Sequence, residues 1–363
     1  MKIVLPTDAG GVAAGGSCRP ASWTVVRMAF AVTIGLSLTS CAQRESSVPR
    51  RLAPAMCKEE PPSWHTSDGR ELMYRSWSPE HGPCRAILVG VPGWNGTAGD
   101  MEPLGRYLAQ RGICVFSTGV RGQHGDLTPR SQQRRGHIDD GRLWERDFQE
   151  FVAWVERSHQ GTPLFLYGQS MGSLTALSVF RNESVAPAIK PLGIILHSPA
   201  VAMMYASPFL RLGVGRLRSF KPGGLLFNVG LISGEKPALT NNIKFDRLWG
   251  LSVDRVRPGF TWSFFDETLK LGARARAAAA ALQSPVIVLT GDKDPIGTAG
   301  VGQHAFALLM RSIPSQQKER ERFTDGYHDL IHDDNKQQAL KCIGDWLNRQ
   351  LQTQPPVALL SKV

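Results

Sequence analysis

From Trp64 onwards, short apolar runs alternate with amphipathic stretches. Ser67-Asp68-Gly69 reads as a turn, and Glu71–Trp77 after it as a strand. Ala86–Val91, Ile113–Ser117, Pro163–Tyr167, Gly193–His197, Pro285–Thr290 and Glu319–Phe323 are compact runs that suit buried strands. Between them lie segments of helical period: Gly99–Gln110, Arg142–Glu156, Met171–Phe180, Val301–Met310 and Asn335–Leu351. In Arg142–Glu156 the apolar positions are Leu143, Phe148, Phe151, Val152 and Val155, one face of a helix. Strand and helix in alternation predict βαβ units, hence an α/β fold with a mostly parallel sheet flanked by helices. One stretch, about Val201 to Thr268, breaks the rhythm. It mixes Met203, Met204, Phe209, Leu225, Leu226, Phe227, Trp249, Phe260, Trp262, Phe264 and Phe265 with Gly and Pro. An apolar insertion after the strand near 193–198 predicts a cap beside a site; the alternative is that these residues only complete the core.

Chemistry enters at Gly168-Gln169-Ser170-Met171-Gly172. A Gly-x-Ser-x-Gly pentapeptide alone is moderately specific, but this one joins an expected strand to an expected helix. That is the setting of the nucleophile elbow of α/β hydrolases. The serine takes a strained backbone to expose its hydroxyl, and strand and helix close up around it, so the flanking positions must lack side-chain bulk. A serine hydroxyl needs a base, and the base needs an acid to orient it, in the chain order Ser, Asp or Glu, His. Val286–Thr290 runs into Gly291-Asp292-Lys293-Asp294, which offers two acids at the carboxyl edge of the sheet. Asp294 is the expected acid, with Asp292 expected to bind loop amides. His328, in the loop after Phe323, is the expected base. Its rival His332 is expected near the last helix in solvent, and His197 precedes the acid and so breaks the order. The oxyanion formed by serine attack needs preorganised N–H donors. The backbone amides of Met171 and of Trp94, in Pro92-Gly93-Trp94-Asn95, are the candidates.

The amino-terminal segment changes the picture of where this chemistry would occur. Met28–Leu38 is an uncharged apolar run flanked by Arg27. It is shorter than the roughly 20 residues a bilayer span needs and fits the apolar region of an export signal. It ends in Leu38-Thr39-Ser40-Cys41, which resembles a bacterial lipobox whose cysteine is acylated. The expected plan is therefore a lipoprotein-type signal (1–40), a tether with Pro49, Pro54, Pro61 and Pro62 (41–63), a catalytic domain (64–352) with its cap (201–268), and a tail (353–363). An ordinary secretory signal with Cys41 incidental is the plainer alternative. Cys57, Cys84, Cys114 and Cys342 would remain after processing. Cys57–Cys84 is the favoured disulfide, with Cys114 expected as a buried free thiol, and no Cys/His spacing resembles a zinc site. Net charge is +11 over 363 residues. The basic residues are scattered and no nucleic-acid motif accompanies them, so no nucleic-acid partner is expected. An anionic lipid surface is the more economical reading.

Taken together, Val91-Pro92-Gly93-Trp94, Gly168–Gly172, the cap, Gly291-Asp292-Lys293-Asp294 and Gly326-Tyr327-His328 resemble the monoacylglycerol lipase and lysophospholipase branch of the α/β hydrolases, a group often filed with serine aminopeptidases. The resemblance spans about residues 68–350. It implies a serine hydrolase with the triad Ser170, Asp294 and His328 and no cofactor or metal. Two departures are visible: Pro92-Gly93 stands where the family commonly has His-Gly, and Gly119-Val120-Arg121-Gly122-Gln123-His124-Gly125 replaces an Asp ahead of an Arg-Gly-His-Gly-like segment. Both bear on substrate orientation rather than on the triad. The cap and the tether point to a single-chain lipid ester, either a lysophospholipid or a monoacylglycerol. Two other readings are an aminopeptidase, with Asp254, Asp266 or Glu267 holding a substrate amine, and a surface lipoprotein that only binds.

Overall fold

The computed structural model describes residues 62–129, 134–179, 191–224, 239–242, 259–297 and 302–353. The expected export signal with Cys41, nearly all of the tether including Cys57, much of the cap and the tail after 353 lie outside these residues.

The described strands are β1 (Ser63–His65), β2 (Glu71–Trp77), β3 (Ala86–Val91), β4 (Ile113–Thr118), β5 (Leu164–Gln169), β6 (Gly193–His197), β7 (Val286–Gly291) and β8 (Lys318–Phe323). The described helices are α1 (Glu102–Ala109), α2 (Arg142–Arg157), α3 (Met171–Val179), α4 (Val201–Met204), α5 (Pro208–Phe220), α6 (Trp262–Ala279), α7 (Gly302–Ser312) and α8 (Lys336–Gln352). Within one sheet the order is β1-β2-β4-β3-β5-β6-β7-β8. β2 runs antiparallel to its neighbours β1 and β4, and β3 to β8 are parallel. The expected α/β architecture is therefore the one observed.

Every residue of β3 to β7 is buried, as helices on both faces require. The two-residue pleat sorts their side chains into two cores. Ile87, Val89, Leu166, Leu196 and Val288 point to the face covered by α2, α3 and α6, where Trp144, Phe148, Leu174 and Phe264 meet them. Leu88, Phe165, Tyr167, Ile195 and Leu289 point to the other, packed by α1 and α8 through Leu104, Leu108, Ile343 and Trp346. Helix α3 is buried all round from Met171 to Ser178, which its nearly uniform apolar sequence permits.

One disulfide joins Cys84 to Cys114, which corrects two sequence expectations: Cys84 does not pair with Cys57, and Cys114 is buried but not free. The reason is tertiary. Parallel pairing of β3 with β4 (Ala86 opposite Ile113) brings the starts of the two strands together, with the Cys84 and Cys114 Cα atoms 5.5 Å apart. Cys342 is the free cysteine among the described residues.

Candidate active site

Ser170 follows β5 directly and precedes α3, at φ +53°, the left-handed region that a non-glycine residue occupies only when its surroundings force it. Both flanking glycines are required by contact. A Cβ on Gly168 would lie 2.5 Å from the Gly172 carbonyl oxygen and the Ser173 Cα, and one on Gly172 would lie 2.2 Å from the Val91 carbonyl oxygen. Met171 is the first residue of α3, so its N–H has no acceptor within the helix and lies at the positive end of the helix dipole.

The loop after β3 lies against the serine. A Cβ on Gly93 would be 2.9 Å from the Ser170 Cβ, so Gly93-Trp94-Asn95 borders the elbow with nothing between. The Trp94 indole packs on Phe260, Phe264 and Phe265, at centroid distances of 5.0, 5.1 and 5.9 Å. The loop that carries the expected oxyanion donor is thereby fastened to the start of α6.

Asp294 and His328 come together as expected: His328 Nδ1 donates to Asp294 Oδ2 at 2.9 Å, and both residues are buried. The other Asp294 oxygen, Oδ1, accepts the N–H groups of Ile296 and Gly297, each at 2.8 Å. Burial opposes the charge on Asp294, but the His328 ring and these two amides outweigh it and hold its pKa below the usual carboxylate range. Burial likewise pulls His328 down, and the charge and hydrogen bond of Asp294 more than reverse this, so its pKa is raised. With the proton on Nδ1 committed to Asp294, the Nε2 lone pair is left as the basic position.

The competing residues sort differently from the sequence reading. Asp292 binds Arg322 through its carboxylate (3.0 and 3.1 Å), and the loop amides assigned to it from sequence are bound by Asp294. His332 lies before α8 and is not solvated; its Nδ1 is held by Asp329 Oδ2 at 2.9 Å, with the side chain 11% exposed. Cys41, the expected acylation site, lies outside the described residues.

A profile described as serine aminopeptidase, S33, matches residues 82–335. The chain belongs to this family of α/β hydrolases. Rat (Rattus norvegicus) monoglyceride lipase is 27% identical over 290 residues, covering 79% of this chain and 89% of that enzyme. The monoacylglycerol lipase of Mycolicibacterium smegmatis is 25% identical over 282 residues, 77% of this chain and 93% of the relative. In fold, a monoglyceride lipase from Saccharomyces cerevisiae, crystallised with a substrate analogue, superposes with a TM-score of 0.66 at 19% identity, over 84% of this chain and 99% of that one. The chain is a serine carboxylic-ester hydrolase.

Sequence reasoning missed two residues of this family member's site. Gln123 is fully buried and grips the oxyanion-side loop from below: its Oε1 accepts the Asn95 N–H and its Nε2 donates to the Gly93 carbonyl at 3.4 Å. The departure from the family pattern at Arg121-Gly122-Gln123 was its only signal. His197 is the second. Its carbonyl accepts the Ser170 N–H at 2.9 Å, and its ring contacts Tyr167 and the His328 loop.

Proposed function

We propose that the chain hydrolyses a single-chain lipid ester, with monoacylglycerol ahead of lysophospholipid, through an acyl-Ser170 intermediate. The carrying observation is a strained Ser170 elbow whose N–H is held by the His197 carbonyl, while the His197 ring binds the loop that carries a buried His328 hydrogen-bonded to Asp294. His328 Nε2 takes the Ser170 proton as the hydroxyl attacks the ester carbonyl, then passes it to the leaving alcohol; in the second half it activates water. The Trp94 and Met171 amides hold the oxyanion. Asp294 fixes the tautomer and stabilises the imidazolium. No step calls on a metal or organic cofactor.

The monoglyceride lipases among the relatives support the choice of lipid. An amine-binding role for the cap-side carboxylates has no such support. Asp266 is paired with Arg218 (2.7 Å) and Lys270 (2.8 Å), and Glu267 binds Arg218, Lys270 and the Gly141 N–H. Asp254, the third carboxylate considered for that role, lies outside the described residues. For location we propose export and acylation at Cys41. The Cys84–Cys114 disulfide supports the oxidising compartment this requires. Loss of lipid labelling in Cys41→Ala would be its signature, and an unchanged label would refute it.

The enzymatic test is fluorophosphonate labelling of the purified domain, wild type beside Ser170→Ala, followed by p-nitrophenyl esters of rising chain length. Labelling that requires Ser170 and a preference for octanoate or longer are expected. A preference for acetate would sink the lipid reading, and a folded wild type that takes no label would sink the triad and leave the binding-module reading in front.

A further inference from the structure

We infer that His197 is a positioning residue for this reaction, holding the nucleophile elbow and the general-base loop at a fixed spacing. The inference rests on the triad reading above and assigns a role to a histidine that the triad does not use.

The register of the sheet places it. Gln169 pairs with His197 and Tyr167 with Ile195, so Tyr167 and His197 are diagonal neighbours on the face covered by α1 and α8. His197 is fully buried there, at the carboxyl end of β6. Three of its bonds matter here, besides a longer one from the Ser173 hydroxyl to its carbonyl at 3.4 Å. Its carbonyl accepts the N–H of Ser170 at 2.9 Å. Its Nε2 accepts the N–H of Leu330, two residues past His328, at 3.0 Å. Its Nδ1 lies 2.6 Å from the Tyr167 hydroxyl.

These bonds determine the protonation of the ring. A nitrogen that accepts a backbone N–H carries no proton, so Nε2 is bare and Nδ1–H donates to Tyr167. The ring is therefore neutral. Burial, which pushes its pKa down to about 4, keeps it so at working pH. The Leu330 N–H, which can only donate, fixes the tautomer, and the hydroxyl of Tyr167, three residues before the nucleophile on the neighbouring strand, accepts the Nδ1 proton that remains. One residue thus ties the main chain of Ser170 to the main chain of the His328 loop. Positioning of this kind matters because a displacement of about 1 Å between reacting groups costs on the order of 100-fold in rate. Leu330 itself is buried in the core of that face, so the loop has a packing anchor and, in His197, a directional one.

Replacement by glutamine and by asparagine separates this role from simple packing. A glutamine oxygen can reach the Nε2 position and accept the Leu330 N–H; an asparagine oxygen is too short. With a soluble p-nitrophenyl ester, His197→Gln should keep kcat within about threefold of wild type, whereas His197→Asn should lose about 10- to 100-fold in kcat with KM nearly unchanged. Thermal melts establish that each variant is folded. Equal kcat values for the two variants, or an Asn variant as fast as wild type, would overturn the inference. Tyr167→Phe deletes one hydroxyl and provides the same test at less risk to folding. It leaves the buried Nδ1–H without its acceptor, so its kcat should fall several-fold at constant KM, and an unaltered kcat would overturn a positioning role for the Tyr167–His197 bond. Normal fluorophosphonate labelling of wild type beside unimpaired His197→Asn sinks the inference alone; no labelling of wild type sinks the triad reading and this inference with it.

Discussion

Asp294→Asn is the perturbation whose outcome the geometry defines most closely. Asp294 Oδ1 takes two backbone amides, from Ile296 and Gly297, at 2.8 Å each. An asparagine must keep its single oxygen on those amides, because its NH2 group cannot accept from them. The NH2 then faces His328 Nδ1 across what is now a 2.9 Å hydrogen bond. Two donors cannot share that bond, so the His328 proton moves to Nε2, where the lone pair is needed to take the proton of Ser170. The side chain stays in place while the base is lost. Inverting the tautomer of a triad histidine in this way costs about 10⁴ in kcat, or about 5 kcal/mol of transition-state stabilisation. The folded protein loses far less, about 1 kcal/mol, since both loop bonds survive and one charge-assisted bond weakens. Steady-state hydrolysis of a soluble ester and urea unfolding read the two quantities separately. Asp292→Asn is the control: its partner Arg322 is half exposed, the pair is worth about 0–1 kcal/mol, and kcat should be unchanged. An Asp294→Asn enzyme within tenfold of wild type, or a greater loss in Asp292→Asn, would refute the reasoning.

Three further outcomes follow from the same structure. Gly172→Ala places a Cβ 2.2 Å from the Val91 carbonyl and 2.6 Å from that of Pro92, both backbone atoms, so it should cost about 3 kcal/mol in urea unfolding; a cost below 1 kcal/mol would contradict the close approach. Replacing Cys84 and Cys114 by serine opens a crosslink with a sequence separation of 30 and should cost about 3–4 kcal/mol by loop entropy. Since the bridge joins the starts of β3 and β4 and the triad lies past the ends of β5, β7 and β8, kcat should survive. Acid sensitivity isolates His197. The unfolded ring takes a proton near pH 6.5 and the folded ring resists until about 4, so wild type loses stability as pH falls through that window, by up to about 3 kcal/mol. His197→Gln cannot titrate, so the stability gap between wild type and variant should shift by that amount between pH 7 and 4; a constant gap would rule the buried neutral ring out.

How much of this was legible beforehand depended on how local each constraint is. The elbow could be read because its requirement is local: five consecutive residues between a strand and a helix, with glycine where two backbones meet. The alternation of buried strands with amphipathic helices gave the layered sheet for the same reason, since each element's own period reports the faces it buries. Asp294 and His328 could be named from chain order and their places after β7 and β8. What separates Asp294 from Asp292, however, is which carboxylate turns inward to His328 and which outward to Arg322, and no spacing shows that. The disulfide was misassigned because Cys84 and Cys114 meet only through the parallel pairing of β3 with β4. Asp266 and Glu267, free carboxylates in the sequence, are neutralised by Arg218, 48 and 49 residues away. His197 was set aside on chain order, yet strand register puts it beside Tyr167 and a distant loop brings Leu330 to its ring. The sequence by itself determined the fold class and the chemical parts, because period, glycine placement and residue order are properties of one segment at a time. The pairing and protonation of those parts were decided by the tertiary structure, because both depend on which groups burial forces together across the chain.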